Sequence, residues 1–302
     1  MGSKHPWTKT VSLFVSCAGG KVKTLLSLLF VLFISTTSFA QQFTAKSLGD
    51  YGNVTVMEVQ GNYDANNTDG TINAAPRQAI AQEFFKTHKD EYDFLVIFTN
   101  FDFKMPEGEA KAFYEGIKND IQGIGVDPFD NTSLYGSNGK LQGTVDMGNL
   151  SGIITDPLDP KFEDTLYVLS HELMHRWAAH VKFKNADGSL SSALLGQDGA
   201  HWSYLLDSQG SVLYGNQWQD NKNNTFTSTI PQNQMLFYSQ LDLYLMGMIG
   251  RDKVLPMLLI NSPATDPTQL PQTGVTINGT ARYVAIDQII AASSAIGDKR
   301  RA

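Results

Sequence analysis

Five consecutive residues carry chemistry by their type and spacing: His171-Glu172-Leu173-Met174-His175. On a helix, positions four apart point within about 40° of each other, so the two imidazoles share a face. Two imidazoles so placed can bind one tetrahedral metal ion. Glu172 lies about 100° round from His171. From there it can reach an open coordination position, take a proton from water and pass it to a leaving group. The chain contains six histidines and eight glutamates, so this pattern has a chance expectation of about 0.003 per chain.

The elements around the pattern must make it a helix with one core face. Leu166, Leu169, Leu173 and Trp177 recur at i, i+3, i+7 and i+11, roughly opposite the histidines. Glu163 and Asp164 suit a helix N-terminus. The spacing predicts a helix from Asp164 to about Val181. Further helices are expected over Ala75–His88, Gly108–Ile121 and Gln234–Ile249, with a short one after Asp287. Strands are expected at Val54–Val59, Phe94–Phe101 (a buried one), Leu141–Met147 and Ala281–Ile286. Residues 191–224, rich in Gly, Asp and Ser, read as loop. Asn62–Asn73 has the polar content of a calcium loop, but its glycine stands one place late and no closing glutamate follows, so it reads as a solvated turn.

The first forty residues contain Lys4, Lys9, Lys21 and Lys23 and no acid. An apolar run follows, Leu25–Ile34, and then Ser38-Phe39-Ala40. These are the parts of a secretory signal peptide cleaved after Ala40, and the run is short for a membrane span. Cys17 could alternatively carry a lipid, but the apolar run falls after it rather than before. Loss of the leader removes four of 23 basic residues against 30 acids, moving the net charge from −7 to −11. It also removes the only cysteine. A secreted or periplasmic chain of residues 41–302 then has no thiolate, so any metal site must use His, Asp or Glu. The acidic charge, with 42% hydrophobic and 18% charged residues, argues for a globular protein and against a nucleic-acid partner.

The His171–His175 stretch resembles the active-site helix of the zincin metallopeptidases, zinc enzymes of the HExxH type. That resemblance implies an α+β fold of two lobes, approximately 41–181 and 182–302, with a cleft between them. The N-terminal lobe would hold a twisted sheet and the motif helix, and an edge strand would bind an extended peptide substrate. The C-terminal lobe is expected to be mostly helix and loop. Asp198–Ser203 and Tyr238–Gly247 look similar to stretches of exported bacterial proteins of unassigned function.

A catalytic zinc site of this type needs a third protein ligand. The metzincin pattern would place Gly and a ligand where Ala178 and Val181 stand, and the gluzincin pattern needs a later glutamate, of which there is none after Glu172. His180 would point about 140° away on a continuous helix. Of the remaining candidates His201, Asp198, Asp207 and Asp242, His201 is the leading choice, with Asp242 as the alternative ligand or as a hydrogen-bond acceptor behind a histidine. Ser211–Gly215 resembles the turn beneath the metal in metzincins, with Leu213 in place of methionine. Tyr204, Tyr214, Tyr238 and Tyr244 could donate to an oxyanion; Tyr214 stands out beside that turn. The expected activity is a secreted zinc-dependent endopeptidase with Glu172 as general base and acid. The alternatives are an inactive zincin-like binding or adhesion protein and a zinc hydrolase acting on a non-peptide substrate.

Overall fold

Residues 44–60 form a hairpin, β1 (Thr44–Tyr51) against β2 (Val54–Gln60), turned at Gly52 in the left-handed region. The computed structural model describes residues 43–106, 110–229 and 238–294. The expected leader, its Ala40 cleavage point and Cys17 lie outside them. Among the described residues, no helix is long and apolar enough to cross a membrane.

Helix α1 (Ala75–Phe84) starts with a proline in its first turn and lies on β1. It ends four residues before His88, because the amides of Thr87 and His88 both close back on the Phe84 carbonyl. A three-stranded sheet follows, in the order β3 (Phe94–Thr99), β7 (Gly143–Asn149), β4 (Phe113–Gly116). β7 is central, parallel to β3 and antiparallel to β4. Two predictions fail here. β3 is a half-exposed edge, with Val96 and Phe98 turned outward. Residues 113–116, expected to be helical, are the edge strand β4. Phe113 and Tyr114 suit a pleated surface, and pairing with β7 decides their conformation. Lys118–Asn119 (β5) pairs with Phe129–Asp130 (β6).

Helix α2 (Phe162–Met174) leans on this sheet. Val168, Leu169 and Leu173 pack around Val145, Met147 and Ala112, while Met174 and Tyr167 enter the larger core of the second half. The helix is therefore shared between two cores. Leu166 does not join the apolar stripe; it is exposed. The helix also stops at His175, not near Val181. The amides of Trp177 and Ala178 fold back on the Met174 carbonyl, and the next amide, Ala179, donates across to Ala200.

Among the described residues, the second half carries nine short strands beside its helices and loops, where mostly helix and loop is expected. Phe183–Lys184 (β8) pairs with Leu190–Ser191 (β9). Then come β10 (Trp202–Asp207), β11 (Tyr214–Asn216), β12 (Trp218–Asp220), β13 (Thr225–Ser228), α3 (Gln240–Leu245), β14 (Met257–Asn261), β15 (Thr276–Asn278), β16 (Thr280–Val284) and α4 (Ile286–Ser294). One sheet runs β11-β10-β14-β16 and another β12-β13-β15. β10 was read as loop because Trp202–Leu205 and Leu206 are buried at every position. A strand covered on both faces has no polar–apolar alternation to display. The expected helix at 234–249 shrinks to α3, with 234–237 outside the described residues. The fold is thus mixed helix and strand, α+β at the coarse level. Asn62–Asn73 is a turn in which Asp64 and Asp69 accept from the backbone amides of Lys104 and Thr71.

Candidate metal centre

His171 lies in the last turn of α2 and His175 caps its end. Because the helix stops there, the chain can turn and bring residues 194–202 past the helix end. Gly196 donates to the His201 carbonyl, and Ala200 accepts from Ala179. His201 arrives at the start of β10 with its ring centroid 5.1 Å from that of His171 and 4.9 Å from that of His175. One ring nitrogen from each of the three histidines lies within 4.8 Å of the others. This is the one such His/Cys/Asp/Glu group among the described residues.

Two of the rings are held from behind. His171 donates through Nδ1 to the Val212 carbonyl at 2.7 Å. His201 donates through Nδ1 to Asp198 Oδ1 at 3.0 Å. Carbonyls and carboxylates can only accept, so these bonds put the protons of His171 and His201 on the outer nitrogens and leave the inner ones as lone pairs. The Nε2 atoms of His171 and His201 then face each other at 3.1 Å. Two lone pairs at that distance repel unless a cation lies between them. A tetrahedral zinc with Zn–N of 2.0–2.1 Å would set ligand nitrogens roughly 3.3 Å apart. A neutral three-imidazole donor set with outer partners therefore fits zinc.

Burial sets the protonation in the same direction. It pushes His171 down to about 4, helped by the neighbouring His201 ring and opposed by the Val212 carbonyl. His175 is also held well below the usual imidazole range by burial and by the neighbouring His171, His201 and His180 rings. Both rings are neutral near pH 7, the form a metal needs. Burial raises the Glu172 carboxyl to about 8, opposed by the backbone amide of Tyr114 on β4. A nearby divalent charge would act in the opposite sense and favour the carboxylate.

The three histidines and Glu172 line a groove of ≈ 1290 Å³. The edge strand β4 contributes Phe113, Tyr114 and Glu115 to its wall, and Tyr167, Asp198 and Tyr214 also line it. Tyr214 stacks on the His201 ring at 4.4 Å and 15°. Among the four tyrosines singled out as possible oxyanion donors, it is the one that reaches the groove. Tyr238 instead donates to the Ser170 carbonyl.

His180 lines the groove but stands outside the trio; its ring bonds the carbonyl of His175. Asp242 is not among the grouped ligands and accepts from no histidine. It is fully buried and accepts from the Trp202 indole at 2.9 Å and the Ser239 amide at 2.7 Å, and the nearby Ser211 hydroxyl favours its charged form. With Ser239 it forms the capping box of α3. Two supports are invisible in the sequence, the Val212 carbonyl and the Tyr114 amide, while Asp198, a candidate ligand there, instead holds His201 from behind. Arg176 is buried and ties the turn after α2 to Asn119, Asp120 and Gln142. The Ser211–Gly215 turn was the one visible signal, since it contains Val212. No family model, curated protein or solved structure matches the chain.

Proposed function

We propose that the protein is a zinc-dependent peptidase of the zincin type, exported after removal of residues 1–40. His171, His175 and His201 would hold the ion. The supporting observation is the junction of three imidazoles, two of them back-bonded, with a buried carboxylate, Glu172, in one groove walled by an edge strand. The division into lobes near residues 41–181 and 182–302 belongs to this reading.

When bound, zinc supplies Lewis-acid polarisation of a carbonyl and acidifies water. Glu172 takes the proton of the attacking water and then delivers it to the leaving amine. Tyr214, placed by its stack on His201, donates to the oxygen on which charge develops. β4 pairs only on its β7 side among the described residues. Its other side offers backbone groups to an extended peptide. The groove's volume suits a polymer segment better than a small metabolite.

The test is zinc content and peptide cleavage of the purified wild-type, Glu172→Gln and His175→Ala proteins. One zinc per chain is expected in the first two, with cleavage by Glu172→Gln reduced by about 10²–10⁴-fold. His175→Ala should lose both zinc and activity. Wild-type cleavage by Glu172→Gln would sink the mechanism.

A further inference from the structure

We infer that Asp242 is a positioning residue for the metal centre, acting through two strands although it touches none of the three histidines. The inference rests on the zinc reading above. Asp242 stands at the third helical position of α3, with no exposed surface. A carboxylate in such surroundings needs donors; the Trp202 indole and the Ser239 amide supply two, and the Ser211 hydroxyl lies near it. Each leads somewhere different.

The first leads to His201. The Trp202 indole donates to Asp242 Oδ1, and Trp202 directly follows His201 in the chain. The second leads to His171. The Ser211 hydroxyl lies near Asp242 and favours its charged form, and Ser211 directly precedes Val212, whose carbonyl holds His171 Nδ1 at 2.7 Å. The third, from the Ser239 amide, anchors the carboxylate to the start of α3. One buried side chain thus ties together the strand that carries one imidazole and the turn that orients another. The same two segments are also joined by the Trp202 amide donating to the Leu213 carbonyl at 2.9 Å. Tyr214, stacked on His201, lies at the end of that turn. A capping residue alone would need only the Ser239 contacts. The Trp202 bond and the nearby Ser211 hydroxyl have no part in capping α3, and both lead toward the histidines.

The experiment measures metal affinity of the folded protein, apart from catalysis. Co²⁺ and Zn²⁺ binding would be titrated against a competing chelator, and the Co²⁺ visible spectrum recorded, for the full chain and three variants. Trp202→Phe keeps the bulk and removes the indole donor. Asp242→Asn keeps the shape but replaces one acceptor oxygen with a donor. Ser239→Ala removes only the capping hydroxyl. Outer supports of metal ligands typically contribute 10–100-fold to affinity. Trp202→Phe and Asp242→Asn should therefore weaken zinc binding about 10–100-fold and alter the Co²⁺ bands. Ser239→Ala should lower the melting temperature of the metal-free protein while leaving metal affinity and spectrum unchanged. The inference is overturned if Trp202→Phe, folded by near-ultraviolet circular dichroism, binds both metals as wild type does. It is equally overturned if affinity in all three variants falls only in step with melting temperature. A wild-type protein that binds neither metal would instead remove the zinc reading itself, and this inference with it.

Discussion

Replacing Asp146 with alanine should destabilise the fold more than any comparable change away from the candidate site. Asp146 lies on β7, the central strand of the sheet that supports α2. Its carboxylate is wholly buried and pairs with Arg77 at 2.8 Å, whose side chain is 1% exposed. The same oxygen accepts from the Tyr63 hydroxyl at 2.8 Å, and the other accepts from the Gly148 amide at 3.0 Å. The guanidinium sits against the rings of Tyr63, Phe103 and Phe113, at 4.3, 5.3 and 4.7 Å from their centroids. These rings favour a cation but exclude the water that could replace a lost partner. Removing one member of a buried pair typically costs about 3–5 kcal/mol, because the other charge stays buried. The orphaned Tyr63 hydroxyl and Gly148 amide add about 1 kcal/mol each. Asp146→Ala should therefore lose about 5 kcal/mol or more, a large part of a usual domain stability. In urea this moves the midpoint by about 2 M at a slope of 2–3 kcal/mol per molar. Replacing both partners with apolar residues, Arg77→Met with Asp146→Leu, should recover about 2 kcal/mol or more relative to the sum of the single changes. A loss under about 1.5 kcal/mol for Asp146→Ala, or additive losses in the cycle, would refute the reasoning.

Two further outcomes are expected. Asp198→Ala removes the partly exposed acceptor behind His201 and should weaken zinc binding by about 10–100-fold. Its urea midpoint in the metal-free state should stay near that of wild type, and chelator competition measures the affinity. Burial raises the Glu115 carboxyl, opposed by the hydroxyl of Tyr135 and by Arg77. A raised carboxyl contributes stability at low pH that is lost as pH rises through its folded value. Glu115→Gln should flatten that fall, read as the change in urea midpoint across a pH series above the ordinary glutamate range. An unchanged slope would show that Glu115 is not its source.

How far each feature could be read follows from where its determinants lie. Ala75–Phe84 and Thr280–Val284 were readable because a proline start and a short β-rich run are local signals. Gly108–Ile121 was misread because β4 is only four residues long and takes its conformation from β7, some thirty positions later. β10 is hidden by burial on both faces. The end of α2 was placed too late because the bonds that stop it involve Ala200, more than twenty residues on.

The pairing of His171 with His175, and the presence of Glu172 between them, are determined by sequence alone, since the 3.6-residue period places them whatever the rest of the chain does. The lack of later glutamates also confined a third ligand to His or Asp. Which residue joins the pair was decided only by tertiary structure. His201 comes into reach because α2 stops at His175, Ala179 bonds Ala200, and Trp202 is held by Leu213 and Asp242. Asp242 was chemically eligible, yet the donors around it place its carboxylate in the interior of the second half. Local periodicity can point side chains in one direction; bringing separate segments to one point needs the long-range bonds that only the folded chain makes.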